Sequence, residues 1–595
     1  MATYYIDPTG VDSSARNGLS TPAAWLTLNY AITRATISGD IIHVNAGTYT
    51  ISTQVRLPLG VSIEGAGVTS VFNCTVTATG SWGNAGYAIL LSSSSLTTGS
   101  QHISNIKMNG NSYAGYGAIG IWFRRNVTIN NCTIQYFNKW GVRFYGGEPP
   151  AAGSYMTGSV FHTNIVNDCG GWTDGSLGCL CIGGLDGMLI YGNTITQPAD
   201  RGQTNEGEPI FGVEGYIKNV KIYNNTISKT LITAGRWDFA IEIWNWEGGN
   251  EIYDNVITGS IDIVGATTKG SSTYSVWVHD NSIGQSAYST KQSVRGILLE
   301  GLNTDVLIER NYIHQVCQGI YMQTANWLDP PNTIYRLTQT NITIRYNVFE
   351  KIGSSAASSG WGFYLSQEDG DDPVTNFNFY NNTIVGGTNA QWGISIPDCS
   401  ISSSNVNILN NIVQDFAYAP ARMNDWSSGA TKITGLNIKN NIFYGNGNSN
   451  NPSFASGTTV LNYVNSGNLT TQPPFTSSTD FHLTAARTGV FIASGLTDKD
   501  EAGVANPPTI GAYEFDPVGE ILVTAITVTG TGGATTIVVD KGTLQMLAHI
   551  DPHDATVQTV IWSVVPGTGT ASIDQSGMLT AISNGTVTVK ATSND

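Results

Sequence analysis

One pattern recurs through the middle of this chain: an apolar residue, two arbitrary positions, an asparagine, one arbitrary position and a second apolar residue. It occurs as Phe161/Asn164/Val166, Ile190/Asn193/Ile195, Ile222/Asn225/Ile227, Ile252/Asn255/Ile257, Val278/Asn281/Ile283, Ile308/Asn311/Ile313, Ile344/Asn347/Phe349, Phe379/Asn382/Ile384, Ile408/Asn411/Val413 and Ile438/Asn441/Phe443. Cys132 takes the asparagine position in an earlier copy, Ile129/Cys132/Ile134. Successive copies lie 26 to 36 residues apart, about 31 on average. Between the asparagines, apolar residues alternate in short runs bounded by Gly, Asn and Ser, which is strand periodicity rather than a helical stripe. A strand that short cannot bury its own apolar face, so the repeats must stack in register around a shared core, as in a solenoid. An asparagine at one fixed phase fits a left-handed turn position, and its amide can bond to the equivalent amide of the next coil.

The two ends depart from the repeat. Thr21-Pro22 followed by residues 23–37 reads as a helix with proline in its first turn, and Gly39-Asp40-Ile41-Ile42-His43-Val44 returns to strand, together supplying the cap that an open solenoid end requires. After Pro517 the composition shifts to Thr, Val and Gly, with alternating strands around Trp562, which predicts a β-sandwich. The expected organisation is an N-terminal cap and the opening of the solenoid over 1–60, coils over 61–465, a closing segment over 466–516 and a sandwich domain over 517–595 that stops before its expected last strand. The fold class is therefore all-β.

Charged residues make up 12% of the chain, about half the usual share, while glycine is abundant at 68 residues. The formal net charge of −16 argues against partners that require basic patches, so neither nucleic acid nor an anionic membrane is expected. No apolar run reaches the length of a membrane span. Seven cysteines, with no C-x-x-C pair, indicate neither a complete disulfide framework nor a zinc knuckle, and are read as small core residues. The start, Met1-Ala-Thr-Tyr-Tyr-Ile-Asp, lacks the basic and apolar regions of a signal peptide. Either a signal has been removed or the protein leaves its cell another way, for example in a phage particle.

Tyr4-Tyr5-Ile6-Asp7-Pro8, Trp25-Leu-Thr-Leu, Gly39-Asp40-Ile41-Ile42, Asn45-Ala-Gly-Thr-Tyr49, Asp480-Phe-His-Leu and Ile510-Gly-Ala-Tyr-Glu514 resemble the opening and closing segments of right-handed parallel β-helix proteins of the pectate-lyase-like superfamily. The resemblance covers about residues 3–516 and implies the fold, but not one reaction: members include polysaccharide lyases, glycoside hydrolases, epimerases, phage tailspikes and adhesins. Gly542-Thr-Leu-Gln-Met-Leu-Ala, Pro552-His-Asp-Ala, Val560-Ile-Trp-Ser-Val and Gly585-Thr-Val-Thr-Val are similar to the bacterial immunoglobulin-like domain, group 2.

A second phase of the repeat has the form Gly-apolar-x-apolar-x, in which the third and fifth residues should face outward. Aligned by sequence, the third positions are Trp122, Arg143, Leu180, Glu214, Glu242, Asp262, Leu298, Tyr321, Tyr364 and Ser395. The fifth positions are Arg124, Tyr145, Ile182, Tyr216, Trp244, Val264, Glu300, Gln323, Ser366 and Pro397. Glu214, Glu242 and Asp262 would then sit on successive coils about 4.8 Å apart. Like charges at that separation raise one another's pKa and leave a protonated acid beside an ionised partner, the pair that glycoside hydrolysis uses. Glu242 is the leading catalytic candidate, with Glu214, Asp262 and Asp238 as partners. Trp122, Arg124, Arg143, Tyr145, Tyr216, Trp244, Glu300, Tyr321, Gln323 and Tyr364 are the candidate sugar contacts.

No metal ligand set is assigned and no cofactor is required, although calcium is compatible with the acids, including the loop Glu368-Asp-Gly-Asp371-Asp372. A lyase would use a basic residue, for which Arg143, Arg201, Arg236 and Arg295 are available. The expected function is degradation of an extracellular polysaccharide, first as a glycoside hydrolase. Two alternatives stay open: a polysaccharide lyase, and a non-catalytic glycan-binding tailspike or adhesin. The partner is a polysaccharide in each case. A secreted enzyme would be monomeric, a tailspike trimeric, and the location extracellular, at the cell surface or on a virion.

Overall fold

A computed structural model describes residues 1–76, 86–110, 116–147, 154–170, 178–197, 208–212, 215–229, 239–288, 294–323, 339–355, 360–366, 374–396, 403–423, 432–447, 450–454, 459–515, 523–552, 555 and 559–593. The chain divides into two compact units, Met1–Glu514 and Phe515–Asp595.

The first unit is a parallel β-helix with three strand-bearing faces. One face carries Val142–Tyr145, Gly178–Gly183, Glu208–Gly212, Phe239–Glu247, Ser260–Thr268, Arg295–Glu300, Gln318–Gln323, Trp361–Ser366 and Trp392–Ile396. Each strand pairs in parallel with its counterpart one coil on. A second face runs through Val160–His162, Leu189–Tyr191, Lys221–Tyr223, Asn250–Tyr253 and Val276–His279, and a third through Ile165–Asn167, Thr194–Gln197, Thr226–Lys229, Val256–Thr258 and Ser282–Gly284. Isoleucine, valine and phenylalanine from all three faces fill one continuous core. These β-branched and aromatic residues suit a pleated surface, and only stacking removes them from water.

The repeated asparagines form the corner between the second and third faces. Each side-chain amide donates to the side-chain oxygen of the asparagine one coil on: Asn164 to Asn193 (3.0 Å), Asn193 to Asn225 (2.9 Å), Asn225 to Asn255 (3.0 Å), and so on through Asn441 to Asn468 (2.9 Å). The backbone N–H of each donates to the same oxygen, as Asn225 N does to Asn255 Oδ1 at 3.0 Å. The second amide hydrogen goes to main-chain carbonyls, such as Ile222 O from Asn255 Nδ2 at 2.9 Å. The amide ladder is as expected; the left-handed position is not. It falls one residue earlier, at Asn224 (φ 53°), Asp254 (φ 54°) and Asp280 (φ 55°), which turns the chain so that the next residue points inward. Cys132, in the ladder position of its own coil, receives the corner in the same way: its N–H donates to Asn164 Oδ1 at 3.0 Å.

The cap holds less helix than expected over 23–37. A 3-10 turn at Thr21–Ala23 and a single α-turn at Leu28–Ala31 are all that form. Trp25 is drawn instead into extended pairing with the first strand, its N–H on Tyr5 O (3.0 Å) and its carbonyl receiving Asp7 N (2.8 Å), and its ring stacks on Tyr4. The segment that follows the last coils folds back along the helix. Asn381 Nδ2 donates to Thr509 O (2.6 Å), Asn410 Nδ2 to Val490 O (2.9 Å) and Arg310 Nη1 to Thr497 Oγ1 (3.2 Å).

The second unit has two antiparallel sheets, one of Ala525–Gly530, Thr543–Asp551, Met578–Ser583 and Thr570–Ile573, the other of Val560–Pro566 and Val587–Ser593, with Trp562 buried. Six cysteines are buried, and Cys399 lies outside the described residues. Among the described residues no helix is long and apolar enough to cross a membrane.

Removing one ladder amide strands partners on the coils before and after it. Asn255→Ala deprives Asn225 N and Nδ2 of their acceptor and leaves Ile222 O and Asn281 Oδ1 short of a donor. At about 1–3 kcal/mol for a buried polar group left unsatisfied, the expected loss is about 3 kcal/mol or more, read from the urea midpoint. Cys132→Asn extends the ladder by one rung and should be tolerated in the same assay.

Candidate functional site

The backbone register defines the outward rows of the first face. One runs Arg143, Cys181, Phe211, Glu242, Asp262, Leu298, Tyr321, Tyr364, Ser395. Two residues further along the same strands, a second runs Trp244, Val264, Glu300, Gln323. In the strand Phe239–Glu247 the alternation is direct: Ile241 and Ile243 point into the core, while Glu242 and Trp244 are part-exposed.

Four carboxyls converge here. Glu242 Oε1 accepts a hydrogen bond from Trp244 Nε1 at 3.0 Å. Desolvation, helped by the charges of Glu208 and Glu300 and opposed by the Trp244 bond and the Lys229 ammonium, pushes the Glu242 carboxyl up to about 8. Asp262, its direct neighbour in the register, is fully buried, and among the described residues neither carboxyl oxygen has a hydrogen-bond partner. Burial and then the charges of Glu300 and Glu242 raise its pKa well above the ordinary carboxylate range, with Arg295 pulling the other way. Glu300 is part-exposed. Glu208 is buried beside them and salt-bridged to Lys229 at 3.1 Å. Arg295 lies over the Tyr321 ring at 4.2 Å, with its Nε donating to Gln318 Oε1 at 2.9 Å. The arrangement can hold a proton on an accessible carboxyl at neutral pH, the property of a general acid.

Of the candidate catalytic residues, the structure brings Glu242 and Asp262 together on adjacent coils. The alignment that put Glu214 beside Glu242 is corrected: the strand of that coil is Glu208–Gly212, and Phe211 is the residue paired with Glu242. Gly212 ends that strand rather than opening it. Glu214, Asp238, Arg201, Arg236 and the acidic loop at 368–372 lie outside the described residues.

Among the candidate contacts, Trp244, Glu300, Tyr321, Gln323 and Tyr364 occupy the expected rows, although Tyr321 and Gln323 are largely covered. Arg143 also stands in the row of Glu242, as expected, but Trp122 is out of phase with it: Trp122 pairs with Tyr145, and Arg143 with Gly120. Phe123 takes a left-handed corner (φ 54°) straight after Trp122. Past that corner Arg124 turns inward. It is buried and bonded to Leu57 O (2.9 Å), Ser92 O (2.8 Å) and Gln101 Oε1 (2.9 Å), a structural role. Arg143 is buried too, its guanidinium 4.8–5.0 Å from the centroids of Tyr145, Trp122 and Trp140. Tyr216 stands at a corner (φ 53°), one residue before Ile217, which pairs with Trp246, and so is not in the Trp244 row.

Sequence reasoning missed Glu208 and Lys229. The one signal for them was charge at positions where other copies are uncharged: Lys229 pairs with Gln197 at the end of its third-face strand. Among the described residues no group of three or more His, Cys, Asp or Glu side chains is arranged to hold a metal ion.

Residues 522–595 match the family model for the bacterial Ig-like domain (group 2). No curated protein matches the sequence. Among solved structures, the Agl-KA catalytic domain aligns at 15% identity over 74% of this chain and 64% of its own, with a TM-score of 0.41. The catalytic unit of a GH87 alpha-1,3-glucanase from Streptomyces thermodiastaticus aligns at 13% identity over 78% of this chain and 67% of its own, with a TM-score of 0.34. The Dettilon tailspike protein aligns at 12% identity over 99% of this chain and 89% of its own, with a TM-score of 0.31. The chain thus spans a little under two thirds of the first of these.

Two stability measurements probe the carboxyl cluster. Asp262→Val removes two unpartnered buried oxygens and should raise the urea midpoint, by about 1–3 kcal/mol of stability. Glu242 holds its proton in the folded chain up to about 8, whereas the unfolded carboxyl releases it near 4.5. Between those values the folded state binds more protons, so stability falls as pH rises through this window and changes no further above it. Asp262 acts with the same sign. Glu242→Gln should flatten the decline in urea midpoint between pH 5 and 8.

Proposed function

We propose that this protein cleaves a polysaccharide by hydrolysis of a glycosidic bond, outside the cell or at a cell or virion surface, with Glu242 as the proton donor. The observation that carries the reading is a part-exposed carboxyl on an outward sheet face that keeps its proton up to about pH 8. A general acid needs a pKa near the working pH, so that it is protonated when substrate binds and still gives the proton up. Asp262, covered and one coil away, is held in its neutral form by burial and by the charges of Glu300 and Glu242. Glu300, two coils along and part-exposed, is the carboxylate from which water can be activated or the sugar attacked. Glu242 gives its proton to the oxygen of the departing sugar, and water adds to the other fragment, so each cleavage consumes one water.

A non-catalytic glycan-binding role is the second reading. It is favoured by the complete burial of Asp262, which leaves Glu242 without an accessible carboxyl on the adjacent coil.

Mass spectrometry of products from a panel of polysaccharides, with wild type and Glu242→Gln, tests the proposal. Oligosaccharides carrying the added water, lost by a factor of about a hundred or more in the variant, are expected. Wild-type activity should also fall as pH rises through about 8, as the acid loses its proton. Products one water lighter mean elimination and overturn the assignment. Retention on a glycan with no product from any member of the panel establishes binding alone.

A further inference from the structure

One histidine ties together the segment that closes the β-helix. Residues 475–484 make a narrow turn in which Phe475 pairs antiparallel with Leu483 and Thr476 N donates to His482 O at 2.9 Å. Further along, Thr497 pairs with Gly503 around a tight loop. The turn and the last residues of the segment lie over the third face of the later coils. Phe481 and Ala512 are buried with Val348, Tyr312, Val385, Phe475 and Tyr513 pack around them, and Ala512 N donates to Thr383 Oγ1 at 3.0 Å. The loop is joined to those last residues by Lys499 N, which donates to Ala512 O at 2.9 Å.

The loop is built around Asp498, which is 2% exposed and accepts the backbone N–H groups of Asp500 (3.0 Å), Ala502 (2.8 Å) and Glu514 (2.7 Å). His482 connects the turn to it. Its Nδ1 lies 2.5 Å from Asp480 Oδ1, its Nε2 lies 2.6 Å from Asp500 Oδ2, and its ring packs on Tyr513 at 4.0 Å. Among the described residues, His482 to Asp500 is the one side-chain hydrogen bond between turn and loop. A neutral imidazole has one N–H and one lone pair, whereas two carboxylate oxygens call for two N–H donors. The geometry is therefore that of an imidazolium; a neutral ring would set its lone pair against one of the carboxylates.

We infer that His482 is a proton-operated latch: as an imidazolium it ties the turn at 475–484 to the loop at 497–503, and when it gives up a proton the closing segment loosens from the third face over Tyr312, Val348 and Thr383. The bond to Asp500, together with the one to Asp480, moves the His482 imidazolium from 6.5 up to about 9 against the cost of burial. Between those values the folded chain holds a proton that the unfolded chain releases. The contribution of the latch is thus complete below about 6.5 and is lost as pH rises through about 9. Against the cost of its own burial, the bonds from His482 hold Asp480 below the ordinary carboxylate value, so its contribution is lost only as pH falls below 3.8. The other groups facing the ring are Asp498 and Glu514, both raised by burial, and the Tyr513 phenol, raised by burial and by the charges of Asp500, Asp480 and Asp498. Lys499 and Glu501 flank Asp500 in the loop, and on the third face beneath, the Tyr312 hydroxyl is bonded to Glu350. The His482 side chain is 43% exposed, so solvent screens the pair, and its loss frees a segment without unfolding the coils.

Hydrogen exchange of the full-length chain tests this, read by mass spectrometry on peptides from 475–514 and corrected for the intrinsic exchange rate at each pH. Protection of the segment should fall about tenfold in the wild type between pH 6.5 and 9.5, while peptides around Asn225 and Asn255 keep theirs. His482→Arg, which keeps a cation in place throughout, should retain the protection at pH 9.5. His482→Gln should already be as poorly protected at pH 6.5 as the wild type is at pH 9.5. No fall in the wild type, an equal fall in His482→Arg, or full protection of His482→Gln at pH 6.5 overturns the inference. The imidazole resonances of the wild type give a second reading that needs no folded variant: one histidine titrating near 9 is expected, and none titrating above 7 overturns the latch.

Discussion

The bond that the rest of the structure depends on is the one between side-chain amides of successive coils. A solenoid coil has no fixed partner within its own sequence, and a slip of one residue would turn every core side chain outward. The asparagine corner removes that freedom. Its oxygen takes two donors from the preceding coil, and its amide nitrogen serves a carbonyl there and the oxygen of the next rung. Each amide from Asn164 to Asn441 is buried, so any other register would leave several polar groups unsatisfied. Apolar burial supplies the drive to stack; the amides decide which residue stacks on which.

Fixed register has a chemical consequence on the first face. Residues at one outward phase are held about one strand spacing apart along the whole axis, whatever their charge. Where Glu242 and Asp262 succeed one another, the backbone forces two acids into proximity that free side chains in water would avoid. Burial on the scaffold raises the pKa of each, with Glu208 and Glu300 adding to it, Lys229 limiting it for Glu242 and Arg295 for Asp262. The same register stacks Tyr321 on Tyr364, and on the second face Tyr191 on Tyr223 on Tyr253.

What was legible in the sequence follows from the same physics. The asparagine ladder and the rows from Glu242 and Trp244 onward could be read because those coils turn at residues that interrupt neither the strand alternation nor the repeat. Before that point the corners come early. Phe123 bends the chain after Trp122, so the fifth-position argument fails for Arg124, and Gly212 closes its strand, so the one for Tyr216 fails too. A glycine in a sequence does not announce whether it begins a strand or ends one. Glu208 and Lys229 escaped because their contact joins the first face to the third, a relation across the coil that repeat alignment does not contain.

Asp262 shows what a solenoid can carry. In a small globular core, a buried carboxyl with both oxygens unpartnered would take a large share of a stability of about 5–15 kcal/mol. Here each coil draws on interfaces with two neighbours, and the amide ladder runs unbroken past Asp262 from Asn225 through Asn255 to Asn281. Because stability in stacked repeats is close to a sum of nearest-neighbour contributions, a defect on one coil stays local and the flanking coils offset it. That separates the two faces by role: the asparagine corner holds the register, and the carboxyl face is free to depart from what packing alone would favour. The departures gather on adjacent coils, at Glu208, Glu242, Asp262 and Glu300, as expected if strain is kept where chemistry uses it.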